Sequence, residues 1–184
     1  MQRHGSWFFE GYEAETQTLP NGKEKRVLVY RGAWYGLGLE RGKYRLCKLA
    51  FLGLCLVLTG AYLLISFFPA AGGMTPPVGV PCLLALVPLM FMWIGLVNFL
   101  LSKDKWEARV HYAGYRRLRL WTYIFLPLMA VTAVAEIIFM LRADTAGAEI
   151  PYFLGTLVCL LCGAGIIMLQ RRFPVKVVQN PDVK

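Results

Sequence analysis

The chain has 184 residues, 57% hydrophobic and 17% charged, and its 20 Lys+Arg against 11 Asp+Glu give a formal net charge of +9. A soluble domain carries about 25% charged and about 45–50% apolar residues, so an ordinary water-soluble globule is excluded. A disulfide scaffold is excluded too, because Cys47, Cys55, Cys82, Cys159 and Cys162 are odd in number and all but Cys82 lie in or at the inner end of apolar runs.

The N-terminal region, residues 1–45, is polar and aromatic. Met1 to Phe9 lack the basic start and apolar stretch of a secretory signal, and the first apolar run is too long for a signal core, so that run reads as a permanent span. Tyr12, Ala14, Thr16 and Thr18 alternate with Glu13, Glu15 and Gln17, the period of a strand. Pro20-Asn21-Gly22 is a tight-turn signal, and Lys25, Val27 and Val29 then alternate with Arg26, Leu28 and Tyr30. This predicts a β-hairpin, continued by the Gly- and aromatic-rich Trp34, Tyr35, Gly36 and Gly38. A lone hairpin is marginal in water and should lean on the membrane surface, the helices or another chain.

Four apolar runs follow: 46–68, 81–101, 120–141 and 151–169. Each matches the roughly 20 residues that cross a hydrocarbon core about 30 Å thick. The fold class predicted is an all-α membrane protein of four transmembrane helices, as two helical hairpins, with a small cytoplasmic β-hairpin. The connectors differ in charge. Pro69–Val80 has no charged residue, whereas 102–119 carries Lys103, Lys105, Arg109, Arg116, Arg117 and Arg119, and the tail 170–184 carries Arg171, Arg172, Lys176 and Lys184. Lys and Arg collect in short cytoplasmic loops. Four crossings put the N-terminal region, middle loop and tail on one side, so both termini are expected in the cytoplasm, at a cytoplasmic membrane of a bacterium. Arg41, Lys43, Arg45, Lys48, Arg116, Arg117, Arg119, Arg171 and Arg172 are then the expected contacts to anionic lipid headgroups; no nucleic-acid partner is implied. In the middle loop, Trp106, Val110 and Ala113 fall near helical spacing, which fits an amphipathic surface segment or a plain charged connector. Gly42-Lys43-Tyr44-Arg45-Leu46 and Gly114-Tyr115-Arg116-Arg117-Leu118 echo each other; independent use of basic anchors explains the echo better than duplication.

Glu136 reads as the only acid inside a span, one turn after Thr132 on the same face. A carboxylate in hydrocarbon must face the interior, pair, or take a proton. It is the candidate ion, proton or helix-partner residue; the bland alternative is that it reaches the outer interface or Arg142. Gly155, Cys159 and Gly163 are spaced by four, a small-residue stripe that lets helices approach closely. Pro88 and Pro127 interrupt the second and third runs and should kink them. Cys159-Leu160-Leu161-Cys162 is a CxxC. A CxxC on the fourth of four helices is similar to the vitamin K epoxide reductase family, in this spacing and helix count alone; that family has a second cysteine pair in an outer loop, where this chain offers only Cys82. As small apolar residues the two thiols equally serve packing.

There is no nucleotide loop, dinucleotide fingerprint, zinc motif or Ser/His/Asp arrangement, and no cofactor or metal is implied. The layout, a charged N-terminal segment ahead of four close-set spans, resembles small four-helix membrane proteins of Gram-positive bacteria, a group with no activity to carry over. Three functions are expected in order: a non-catalytic membrane subunit or scaffold, bound to another membrane protein or to further copies of itself; a small oligomeric transporter or channel using Glu136; and a thiol oxidoreductase using Cys159 and Cys162.

Overall fold

The computed structural model describes residues 12–18, 24–142 and 146–178; the expected Pro20-Asn21-Gly22 turn and the last residues of the tail lie outside them. Strands β1 (Tyr12–Thr18) and β2 (Glu24–Tyr30) pair antiparallel, with Tyr12 opposite Tyr30. The next strand, β3 (Trp34–Gly36), leads into helix α1 (Arg41–Phe67). Helices α2 (Pro76–Leu84) and α3 (Leu86–Leu101) form the second long element. The third runs from α4 (Ala108–His111) through a π turn at Tyr112–Arg116 into α5 (Arg117–Arg142). Helix α6 (Ala146–Arg172) is the fourth, and β4 (Lys176–Val178) ends the description.

Four helices are thus long and apolar enough to cross a membrane. The first element exceeds its apolar run through flanking Arg and Lys, which favour helix as well as Leu does, and the second through Pro76 and Pro77, which suit a first helical turn. Only 28–39% of the most apolar stretch of each is buried within the protein. The outward faces carry Leu46, Leu64, Phe67, Leu101, Leu141, Leu161 and many like them. So continuous an apolar surface is far beyond the few hundred Å² that a soluble monomer exposes, and it fits a membrane-embedded protein.

The packing departs from two self-contained helical hairpins. Helix α1 packs chiefly on α6, α6 on α5, and α5 on α2 and α3, while α1 and the α2–α3 element touch only lightly. Small residues explain the choice. A Cβ on Gly155 of α6 would lie 2.2 Å from Ile65 Cγ2 of α1, and one on Gly95 of α3 would lie 2.7 Å from the Leu118 backbone nitrogen. The kink expected at Pro88 appears as a break at Ala85, which puts Pro88 in the first turn of α3, where a missing N–H is harmless. Pro127 sits within an unbroken α5.

The middle loop is not a separate surface segment. Its second half is the start of the third long element, and Trp106, 1% exposed, is core rather than headgroup contact. Phe99 stands amid Phe51, Trp106 and Tyr115 with ring centroids 5.5, 5.5 and 5.4 Å away, an apolar mass that holds the connector inward. The polar segments interlock at this basic end. β3 pairs antiparallel with β4, and Tyr35 and Trp106 exchange backbone hydrogen bonds of 2.7 Å, so N-terminal region, connector and tail share one platform. The hairpin is tied to that platform by the Tyr12 hydroxyl donating to Glu107 and the Ala108 N–H donating to the Tyr30 hydroxyl at 3.0 Å. Burial, with the Glu107 bond second, pushes the Tyr12 phenol up to about 12, so it stays a neutral donor at physiological pH.

Candidate functional site: a buried pair of carboxyl groups

At the opposite end, the uncharged connector folds back over the helix ends through a single 3₁₀ turn at Gly72–Met74. Beneath it lie two acids. Glu136, in the outer third of α5, is 0% exposed, and Glu149, in the first turn of α6, is 1% exposed. Glu149 accepts a 2.9 Å bond from the Ala71 N–H, so one carboxyl holds the connector down. Neither oxygen of Glu136 has a hydrogen-bond partner among the described residues, nor has Glu149 Oε2. The two carboxyl groups face each other. The connector approaches so closely that a Cβ on Gly72 would sit 2.7 and 2.9 Å from the Glu136 oxygens. Any larger residue there would collide with the acid it covers.

Glu136 was expected to be the only acid inside a span; Glu149 also falls within a helix long and apolar enough to cross a membrane, in its first turn. Helix α6 begins ahead of the apolar run, at Ala146, and an acid in its first turn, two residues before Pro151, is a helix-start signal. Glu136 does not pair with Arg142: that side chain is exposed, and the carboxyl has no partner. Thr132 is buried on the same face, but its hydroxyl donates to the Leu128 carbonyl at 3.0 Å, one turn back on its own helix.

Both carboxyl groups are buried, and among the described residues the Ala71 N–H is the one hydrogen-bond donor that reaches either of them, so the pair is short of donors. Beside the pair, Tyr152 of α6 is buried with its hydroxyl set toward Cys82, and the Tyr62 hydroxyl donates to the Cys82 carbonyl at 2.8 Å. A cleft of about 220 Å³ passes along Tyr62, Ser66, Gly73, Cys82 and Tyr152. No group of three or more His, Cys, Asp or Glu gathers as a metal centre among the described residues. The arrangement suits holding a proton or a cation.

The other sequence-derived candidates fall elsewhere. Gly155 and Cys159 face α1, with the Cys159 thiol 3.6 Å from the Leu58 carbonyl, and Gly163 faces Leu126 of α5. The stripe is used within the chain. Cys159 and Cys162 are buried free thiols, as are the other three cysteines. Cys159→Ala and Cys162→Ala, together or singly, should cost less than about 1.5 kcal/mol in detergent unfolding, because small apolar volume is nearly conserved. A disulfide between them that cycles with a quinone would refute this.

Among the expected headgroup residues, Lys48 turns inward. Its ammonium donates to the Leu100 and Ser102 carbonyls at 3.0 and 2.6 Å, closing the C-terminus of α3, and stands 4.4 Å from the centre of the Tyr44 ring. Arg41 and Lys43 make exposed pairs with Asp104 at 3.8 Å and Glu40 at 3.5 Å. Arg45 and Arg172 are exposed and Arg117 is half-buried, whereas Arg116, Arg119 and Arg171 line one cavity. The chain matches no family model, no curated protein and no solved structure.

Proposed function

We propose that the chain is a non-catalytic integral membrane subunit or scaffold, crossing a bacterial cytoplasmic membrane four times with both ends in the cytoplasm. One observation carries the reading. The hairpin stands on a rigid platform of three polar segments, tied down through Tyr12 and Tyr30, and among the described residues each of its strands has only the other as neighbour. An open, anchored strand edge is what a partner's strand adds to. The orientation follows from the basic platform at one end and the uncharged connector at the other.

Fusion of a reporter active only outside the cell should give signal after Val78 or Gly147 and none after Ala108 or Lys184. The reverse pattern would invert the topology. A partner should purify in stoichiometric amount in mild detergent and be lost when residues 12–30 are replaced by a Gly-Ser linker, with the melting temperature of the helices kept. Partner retention in that variant would overturn the role assigned to the hairpin.

A second reading, a small oligomeric transporter or channel, draws support from the facing Glu136 and Glu149 carboxyls. Proton or cation flux in reconstituted vesicles, abolished by Glu136→Gln, would establish it over the scaffold.

A further inference from the structure

Around the π turn, the basic end holds a cavity of about 800 Å³. Arg116, Arg119 and Arg171 line it, and no acidic residue does. Among the described residues none of the three has a carboxylate within ion-pair range; the Arg116 guanidinium instead lies 4.7 Å from the centre of the Tyr112 ring, and that of Arg119 lies 5.8 Å from the centre of the Tyr123 ring. The extra residue of a π turn shifts the side chains that follow it, and such turns concentrate at functional sites. Tyr112, Tyr115 and Arg116 of this turn line one wall of the cavity.

Three exposed arginines lining one concavity call for an anion with several oxygens, and phosphate fits their planar, forked donors. A second feature narrows the ligand. Gln170, 2% exposed, lines the same cavity, and its Oε1 has no partner, while its amide nitrogen is held by the Tyr115 carbonyl at 3.3 Å. His111, also on the wall, has an unpartnered Nδ1. A buried acceptor among cations is satisfied by a hydroxyl donor on the same ligand. The shared chemistry is therefore a phosphodiester or phosphate ester that carries hydroxyl groups.

The position favours a lipid source. Leu120 and Tyr123 extend the wall onto the outward apolar face of α5, at 56% and 41% exposure. An adjoining hollow of about 490 Å³ shares Tyr112, Arg116 and Leu120 and adds Arg117 and Trp121, and its Leu120–Trp121 side offers a track for the first part of an acyl chain. We propose that this cavity binds the hydroxylated, anionic headgroup of one phospholipid, with Arg116, Arg119 and Arg171 on the phosphate and Gln170 Oε1 accepting from a headgroup hydroxyl. The inference rests on the reading that the long helices span a membrane, since basic pockets between such helices are where anionic headgroups are held.

The test is native mass spectrometry of the detergent-purified full chain, with phosphatidylglycerol, phosphatidylethanol and phosphatidylcholine of identical acyl chains. One phosphatidylglycerol should bind at least about tenfold more tightly than phosphatidylcholine, as charge-assisted bonds require. It should bind about fivefold more tightly than phosphatidylethanol, which has the same charge and no hydroxyl. Arg119→Gln with Arg171→Gln should abolish the preference, while Arg45→Gln with Arg172→Gln should leave it unchanged, each protein melting as the wild type does. If the cavity pair destabilises, Arg116→Gln alone, read as a loss of selectivity, keeps the assignment falsifiable. Equal loss from both pairs, or no preference among the three lipids, would overturn the site. Saturable binding of glycerol 3-phosphate that competes fully with the lipid and ignores Trp121→Ala would reassign it to a soluble phosphate ester. Failure of the topology reporters would sink the membrane reading; intact topology without selectivity would sink the site alone.

Discussion

Gly95→Ala is expected to lower the stability of the bundle by about 2–3 kcal/mol, as overpacking without relief does. The added methyl would lie 2.7 Å from the Leu118 nitrogen and 3.1 Å from both the Gly114 oxygen and the Leu118 Cα. These are backbone atoms, so no rotamer change clears them and α3 must move off the start of α5. The crossing is glycine on both sides: a Cβ on Gly114 would meet the Phe99 nitrogen at 3.1 Å. Without a hydrophobic driving force between helices in lipid, such close packing carries much of the association energy. Gly53→Ala and Gly60→Ala are the controls, because a methyl at either meets nothing within 4 Å. They should be neutral or slightly stabilising, since Ala is the better helix former by about 1 kcal/mol. Reversible unfolding in mixed micelles with rising dodecyl sulfate measures all three. Equal behaviour of Gly95→Ala and the controls would refute the close crossing.

Glu136→Gln should raise the unfolding free energy by about 1–2 kcal/mol, against the usual cost of altering a buried polar group. The wild-type carboxyl has two buried oxygens without donors, and an unsatisfied buried group costs about 1–3 kcal/mol. The amide has the same shape and brings a donor of its own, which can reach the unpartnered Oε2 of Glu149. Glu136→Leu should be tolerated for a related reason: the Thr132 hydroxyl is bonded to its own helix at Leu128 and loses nothing. Glu149→Leu should cost about 1–2 kcal/mol, because it strips the Ala71 N–H of its acceptor. The opposite sign for Glu136→Gln, a loss of stability that added cation restores only in the wild type, would mean that the pair holds an ion. That result would promote the transport reading over the scaffold.

Much of the architecture was legible along the chain because its apolar runs are long and bounded by charge. Runs of this length with Lys and Arg at their ends are what a hydrocarbon layer selects, and the four long helices fit one. The four long helices appear where the apolar runs are, and the alternation around Tyr12–Thr18 and Glu24–Tyr30 appears as a paired hairpin. Which faces of the helices meet is another matter. Every run is apolar on nearly all sides, so no periodic stripe marks the interior, and the contacts depend on shape at single glycines such as Gly95, Gly114 and Gly155. For the same reason Trp106 reads as a surface aromatic but is core: the rings of Phe99 and Tyr115 pack on it with centroids 5.5 and 5.9 Å away, and its backbone pairs with that of Tyr35. The pairing of β3 with β4 joins residues at opposite ends of the chain and leaves no local trace. Glu136 carried its own signal, because a lone acid in hydrocarbon demands an explanation. Its counterpart Glu149, the covering turn at Gly72 and the gathering of Arg116, Arg119 and Arg171 from two helices were decided by tertiary contact, because each needs side chains far apart in sequence to converge on one point in space.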